Sequence, residues 1–309
     1  MFFIQVIKLC FNFVKVKKDM IRYIEAKSIL SRLRCVDPYF GITYNMNLYR
    51  GCQHGCIYCD TRSECYGIGD ISKLSVKKNA LQLLVKELAC KQKKKATVGT
   101  GSMNDPYMPV EKELGIVRNA LKILSDARFP VHIITKSDLV TRDIDILCEI
   151  SKIYAAVSIT ITTVDDILAK KIEPNASSPV SRFKAIELLA SKGIYTGVTL
   201  MPVLPYINDT EQNIQLIIER SKDAGASYIL PMFGMTMRKG SREYFYHALD
   251  LLFPGKKELY ISNYGDRYEC MSPNYSVLNS LYEKLIATSG ISSRISFYQP
   301  PMNKQLSFY

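Results

Sequence analysis

Three cysteines crowd into one short stretch of this chain, Leu48-Tyr-Arg-Gly-Cys-Gln-His-Gly-Cys-Ile-Tyr-Cys-Asp60. Cys52, Cys56 and Cys59 are spaced C-x3-C-x2-C. Thiolates are soft ligands, and three on so short a loop can converge on one soft metal centre. They cannot supply the four protein ligands of an ordinary electron-transfer cluster. An iron–sulfur cube held this way keeps one iron open, and an open metal position is where chemistry happens. Gly51 and Gly55 suit a backbone that must fold tightly around a bulky inorganic group. The rival occupant is a zinc ion with His54 or Cys65 as fourth ligand. Zinc sites usually pair C-x2-C with a second, distant pair, and the sequence has none.

Other polar residues fall where strands would end. Gly101-Ser-Met-Asn-Asp105-Pro-Tyr follows one apolar run and Thr135-Lys136-Ser137 follows the next. Lys136 is a cation at the end of an apolar strand, so it either has an anionic partner or lies at the surface. Ser158 and Thr160 alternate with Val157, Ile159 and Ile161, and so share one side of a strand. Tyr58, directly before the third cysteine, either packs beside a bound group or is a partly buried core tyrosine.

The elements that must position these groups alternate in kind. Thr43–Leu48 reads as a strand feeding the cysteine loop. Val76–Cys90 has helical spacing, with Val76, Ala80, Leu84 and Leu88 on one face. Strands follow at Ala96–Thr100, Val131–Thr135, Ala155–Ile161, Tyr195–Met201 and Ser227–Met232. Helices lie between them, marked by Leu114, Val117, Leu121 and Leu124, by Ile144, Leu147 and Ile150, and by Phe183, Ile186 and Leu189. Asp209 and Gln212 form a capping box for a helix with Ile214, Ile217 and Ile218. Two further helices are expected at Glu243–Leu252 and Tyr275–Thr288. Six β/α units in series predict an α/β fold, an open partial (β/α)6 barrel with C-terminal helices. Its reactive groups would sit at the carboxyl ends of the strands.

Composition sets bounds. The chain has 309 residues, 47% hydrophobic, enough for a sizeable core. Nine cysteines with three in one loop do not form a secreted disulfide framework, which points to a reducing, cytoplasmic setting. The net charge of +12 suits a polyanionic partner, although lysine clusters are also ordinary solvated faces. Residues 1–19 read as an N-terminal extension, with translation expected to start at Met20. The apolar run there is too short to span a bilayer and lacks the flanks of a signal peptide. Its four lysines and Asp19 carry +3, so the basic excess survives without it. Residues 20–290 are expected to form the catalytic domain and 291–309 a flexible tail.

The cysteine loop resembles that of the radical S-adenosylmethionine (SAM) superfamily. From Tyr44 to Pro205 the chain is similar to its spore photoproduct lyase-like branch. The matching residues are the cysteine loop, Ser102-x-Asn104-Asp105, Ile134-Thr-Lys136, Val157-Ser-Ile159, and Ile172-Glu-Pro174 with Ser177, Ser178 and Arg182. The resemblance implies a [4Fe–4S] cluster on Cys52, Cys56 and Cys59, with SAM on its open iron and a low-potential electron donor as partner. It implies that Lys136 and Ser158 hold the methionyl carboxylate and that Asn104 lies near the amino group. Thr160 would meet the ribose, Met201 would border the adenine, and Tyr58 would pack beside it. Ser102 stands where lyases of this type place a cysteine that returns a hydrogen atom. An O–H bond is too strong to replace a thiol there. Asp60 stands where those lyases have a tyrosine.

Three readings follow: a radical SAM enzyme acting on nucleic acid, of lyase or base-modifying repair type; one acting on a peptide or small metabolite; and a non-enzymatic metal-binding adaptor. The last residues, Gln305-Leu306-Ser-Phe308-Tyr309, resemble the Gln-Leu-Ser/Asp-Leu-Phe peptide by which bacterial repair and replication proteins hook onto the sliding clamp.

Overall fold

The computed structural model describes residues 21–90 and 94–300. Residues 1–19 and the Gln305–Tyr309 peptide lie outside them.

The described residues open with three short strands, β1 (Arg22–Ile24), β2 (Leu30–Arg32) and β3 (Tyr44–Met46). Then come β4 (Tyr49–Arg50), β5 (Ser75–Lys77) and helix α1 (Ala80–Leu88). The repeating part continues as β6 (Val98–Thr100), α2 (Glu111–Leu114), α3 (Ile116–Asp126), β7 (Val131–Thr135), α4 (Ile144–Ser151) and β8 (Ala155–Thr160). It ends with α5 (Asp166–Ile172), α6 (Pro179–Ser191), β9 (Tyr195–Leu200), α7 (Glu211–Asp223) and β10 (Tyr228–Pro231). A smaller lobe holds β11 (Gly234–Thr236), α8 (Ser241–Leu252), α9 (Lys256–Tyr264) and β12 (Glu269–Met271), and α10 (Tyr275–Ser289) follows.

The main sheet has the order β10-β9-β8-β7-β6-β3-β2. Its six strands from β3 to β10 are parallel, and β2 adds an antiparallel edge. The two edges do not pair, so the sheet stays open, in line with the expected partial barrel. Two small sheets were not foreseen: β1-β5-β4 beside the cysteine loop and the β11-β12 pair.

Period-two alternation gives the strands two different faces. Val131, Ile133, Val157, Ile159, Val198 and Ile229 point to the helices and share one core with Val117, Leu121, Leu147, Ile186, Leu189 and Ile217. Each such side chain contributes roughly 1.5–3 kcal/mol by burial. The residues between them, His132, Ser158, Thr160, Thr199 and Tyr228, are buried and polar. Two glycines make room among them. A Cβ on Gly197 would lie 2.4 Å from the Tyr228 ring, and one on Gly99 would lie 2.3 Å from Ile42.

Three expectations are corrected. Val76 belongs to β5, paired with Tyr23 and Tyr49, so the helix begins only at Ala80. The cap of α7 is Thr210, whose hydroxyl accepts from the Asn213 amide at 3.2 Å. Asp209 instead accepts a 2.6 Å bond from the distant Ser272 hydroxyl. Residues 291–299 do not hang free. Ser292 bridges to Tyr228 alongside β10, Ile295 is buried, and Phe297 lies against Gly41.

Candidate active site

The cysteine loop leaves β4 through Gly51, whose φ is +91° and where a Cβ would lie 2.7 Å from the Ile71 carbonyl. The Cys52 amide donates to that same carbonyl at 2.8 Å. On its other side the loop is fastened to the segment after α5. The Ile57 amide donates to Ile172 O at 3.0 Å, the Asn175 amide to His54 O at 3.1 Å, and Asn175 Nδ2 to Gln53 O at 2.9 Å. Backbone bonds to two separate segments fix the loop without using its thiols.

All three cysteines line one cavity at the carboxyl ends of β6, β7 and β8. Tyr58, Ser102, Asn104, Lys136 and Thr160 line it too. Among the described residues no three His, Cys, Asp or Glu side chains gather tightly enough for a single ion. Burial pushes the Cys52 thiol up to about 11, and the Cys56 thiol higher still.

Charge around the loop is arranged in layers. Glu173 and Arg182 are almost wholly buried, with Arg182 Nη2 2.5 Å from Glu173 Oε2. Arg182 also donates to Ser177 O at 2.8 Å and to Thr160 O at 2.9 Å, which ties the pair to the end of β8. Tyr58 donates its phenol hydrogen to Glu173. Burial works against the Glu173 carboxylate, but Arg182 and Lys136 hold its pKa below the usual range. Asp105 is equally enclosed. It accepts from Thr135 Oγ1 at 2.6 Å, the Lys136 amide at 2.7 Å and the Tyr107 amide at 2.8 Å. Burial opposes its charge too, yet His54 and these donors keep the carboxyl well below the ordinary carboxylate range. His54 Nδ1 is 3.3 Å from Asp105 Oδ2 but off the hydrogen-bond line, so it has no aligned partner.

Lys136 differs from its neighbours. Its ammonium lies 5.9 Å from the Tyr58 ring centroid and has no hydrogen bond or ion pair among the described residues. Burial alone would discharge it, but Cys56, Glu173 and Asp105 favour the cation, and the balance raises its pKa. A half-buried cation held charged by nearby acidic groups, with no direct partner among the described residues, is a place for an anionic ligand.

The other sequence-derived residues divide. Asn104 donates from Nδ2 to Tyr49 O at 2.8 Å, which leaves its amide oxygen free to face the cavity. Thr160 Oγ1 is 2.8 Å from Thr199 Oγ1, and Ser102 is exposed at the cavity wall. Ser158 and Met201 are not among the cavity-lining residues. Met201 packs beside Tyr228, Leu230 and Ile295. Ser158 Oγ lies 2.7 Å from His132 Nε2 and 2.8 Å from the Tyr228 hydroxyl. His132 Nδ1 is 2.9 Å from Phe40 O, and a carbonyl can only accept, so Nδ1 carries the hydrogen. In the neutral ring Nε2 then accepts from Ser158, and Tyr228 donates to Ser158. Burial pulls His132 down to about 4, so the neutral form prevails near pH 7.

Sequence reasoning missed His132, the Tyr58–Glu173 bond and the role of Asp60. A histidine out of phase with Val131 and Ile133 was the available signal for the first. Asp60 pairs with Arg238, accepts from Ser63 Oγ at 2.8 Å, and so links the cysteine loop to the smaller lobe.

With this geometry in hand, comparison with known proteins is informative. The sequence profile of the radical SAM superfamily matches residues 46–217. An uncharacterized protein of Methanocaldococcus jannaschii is 33% identical over 260 residues, covering 81% of this chain and 90% of that one. A radical SAM Nα-GlyT isomerase of Pseudomonas phage M6 is 24% identical over 208 residues, covering 67% of this chain but 41% of its own length. Among solved structures, a spore photoproduct lyase mutant with bound AdoMet and dinucleoside spore photoproduct superposes with a TM-score of 0.65 at 13% identity. The alignment covers 88% of this chain and 80% of the lyase. At that identity the likeness is one of fold.

Proposed function

This chain belongs to the radical SAM superfamily, and on that footing we propose that it acts on a nucleic-acid base, as a lyase or a base-modifying enzyme. One observation carries the catalytic part: three cysteines line a single cavity at the strand ends together with Lys136, whose ammonium has no partner among the described residues. Cys52, Cys56 and Cys59 would hold a [4Fe–4S] cluster, and the donor set fits, because three soft thiolates leave one iron open. When bound, the cluster and SAM together supply a 5′-deoxyadenosyl radical that abstracts hydrogen from a substrate.

The residues of this chain bind and orient. Lys136 would take the methionyl carboxylate and the free Asn104 oxygen the amino group, while Thr160 would meet the ribose. Tyr58, anchored by Glu173, would flank the adenine, with Met201 farther along it. Ser158 could donate to the carboxylate only by giving up the hydrogen it donates to His132. Ser102 lines the cavity but has no thiol, so return of a hydrogen atom from this position is not expected. Turnover of the spore dimer by that route should be low.

A nucleic-acid substrate is supported by the net charge of +12 and by the company the chain keeps, which includes a dinucleoside-bound lyase of the same fold. No helix among the described residues is long and apolar enough to cross a membrane. We place the enzyme in the cytoplasm, where a low-potential donor could reduce it. The Gln305–Tyr309 peptide would tether it to a sliding clamp. Deleting those five residues should abolish clamp binding and spare iron content.

The test is anaerobic reconstitution with iron and sulfide, chemical reduction and addition of SAM. Slow release of 5′-deoxyadenosine is expected, faster with oligonucleotides than with peptides. Stoichiometric zinc and no 5′-deoxyadenosine would sink the catalytic reading. Stimulation by peptides alone would sink the substrate class.

A further inference from the structure

We propose that the rim of this cavity is a stacking platform for the unpaired bases of a single-stranded nucleic acid. The inference rests on the nucleic-acid reading above and assigns it a strand class and a docking surface. Three tyrosines near the mouth, Tyr66, Tyr244 and Tyr268, leave 38%, 40% and 43% of their surface exposed. Each is backed by a guanidinium. Arg62 Cζ lies 3.5 Å from the Tyr244 ring centroid, and Arg238 Cζ lies 4.4 Å from that of Tyr268 and 5.8 Å from that of Tyr66. Arg238 also donates to the Tyr268 hydroxyl at 2.8 Å and to the Tyr66 hydroxyl at 3.1 Å, while pairing with Asp60. Rings held in this way lose little freedom when a flat partner stacks on them. A base stacks on an aromatic face whatever its sequence, and arginine reinforces the contact.

Two connections make the platform part of the site. Tyr66 and Asp60 line the cavity that holds the cysteines, so a base on Tyr66 is at its entrance. On the far side of the loop from Tyr66 to Lys73, a groove is lined by exposed Arg22, Arg50 and Lys73, three cations against the single acid Asp70. Arg50 donates to the carbonyl of Gly67, beside Tyr66, so groove and platform adjoin. Arg62, half-buried against Tyr244, adds a further cation at the platform. Phosphates along the cations with bases on the tyrosines is the pattern of single-strand binding, because a duplex keeps its base faces hidden.

Fluorescence anisotropy with a labelled twelve-nucleotide DNA strand, and with its duplex, tests the proposal on the full-length protein at several salt concentrations. The single strand should bind more tightly, with an affinity that falls as salt rises. Tyr244→Ala and Tyr268→Ala should each weaken it about tenfold or more, while Tyr244→Phe and Tyr268→Phe, which keep the ring, should retain it. Iron content and melting temperature serve as folding controls. Arg50→Gln with Lys73→Gln should lower the salt slope by roughly two. Undiminished binding in both alanine variants, or a preference for duplex, would overturn the platform and leave the nucleic-acid reading standing. No binding of either form, with an acidic peptide bound instead, would overturn both.

Discussion

The two ends of the open barrel bury polar groups in opposite ways. Deep in the sheet, Tyr228, Ser158, His132 and the Phe40 carbonyl form a chain in which every hydrogen has a recipient and no group is charged. At the carboxyl ends of the same strands, Glu173, Arg182 and Asp105 are buried and Lys136 half-buried, all charged, and the pairing is incomplete. Lys136 lacks a partner there, as do the hydroxyls of Thr100 and Thr162, among the described residues. A low local dielectric makes an unsatisfied group expensive wherever it lies. The difference therefore separates a neutral chain paired within itself from a charged cluster that a ligand can complete.

The sharpest break concerns the thiols. Replacing Cys52, Cys56 or Cys59 by Ala should abolish binding of about four irons per chain. Replacing Cys35, Cys65, Cys90, Cys148 or Cys270 should leave iron unchanged by chemical assay and by the spectrum of the reduced cluster. Iron retained in the Cys56→Ala protein would show that the loop is not the site.

Glu173→Ala should be nearly as damaging, but to stability. It strands the buried Arg182 guanidinium and frees Tyr58, at a cost of about 3–5 kcal/mol. Thermal melts should show it, and a shift no larger than that of an exposed Glu149→Ala control would mean the pair is not structurally essential.

The closed end should respond to acid. His132 titrates near 4 in the fold and near 6.5 when unfolded, so between these values the unfolded chain binds more protons. Its contribution is fully present above about pH 6.5 and is lost as pH falls toward 4, to the extent of about 3 kcal/mol. His132→Gln should flatten that limb of the melting-temperature profile. An unchanged limb would assign acid lability to other groups.

The open end should respond to SAM. Lys136→Ala should weaken SAM binding by roughly 1.5–3 kcal/mol, read by calorimetry on the iron-loaded protein. Unaltered affinity would remove Lys136 from the carboxylate site.

The sequence made the alternation of strands and helices legible because short β-rich runs bounded by turn residues alternate with helical spacing, and Val131–Thr135 was read with no error at either end. Strands of three residues escape such reading. β1 and β5 exist because Tyr23, Val76 and Tyr49 meet across the chain, and only the folded pairing specifies that. Asp209 shows the same limit. Its local spacing suits a cap, but a hydroxyl 63 residues away in sequence takes it. That the thiols, Lys136, Asn104 and Thr160 would share one layer was legible because each needs only its own position at a strand end, and all of them line the same cavity. The ion pair of Glu173 with Arg182 spans an irregular segment, and no periodicity announces it. The smaller lobe was half seen. In α9 only Tyr260 and Tyr264 are buried, one turn apart, too thin a stripe to stand out.

The packing of Phe297 against Gly41 has a consequence for synthesis. The Ser292 bridge covers the β10 edge, and Ile295 joins Tyr228 and Leu230 beside Phe40 and Phe297. These contacts join residues near the start of the described chain to residues near its end. A nascent chain can thus pair its strands and cover one face with helices while still on the ribosome, yet the opposite face has no closing segment until residues 292–297 emerge. Until then the β10 edge is open to other strands. Chains that stall or are truncated before Ile295 would leave that edge open, so the segment from Ser292 to Phe297 decides between a sealed sheet and an aggregating one.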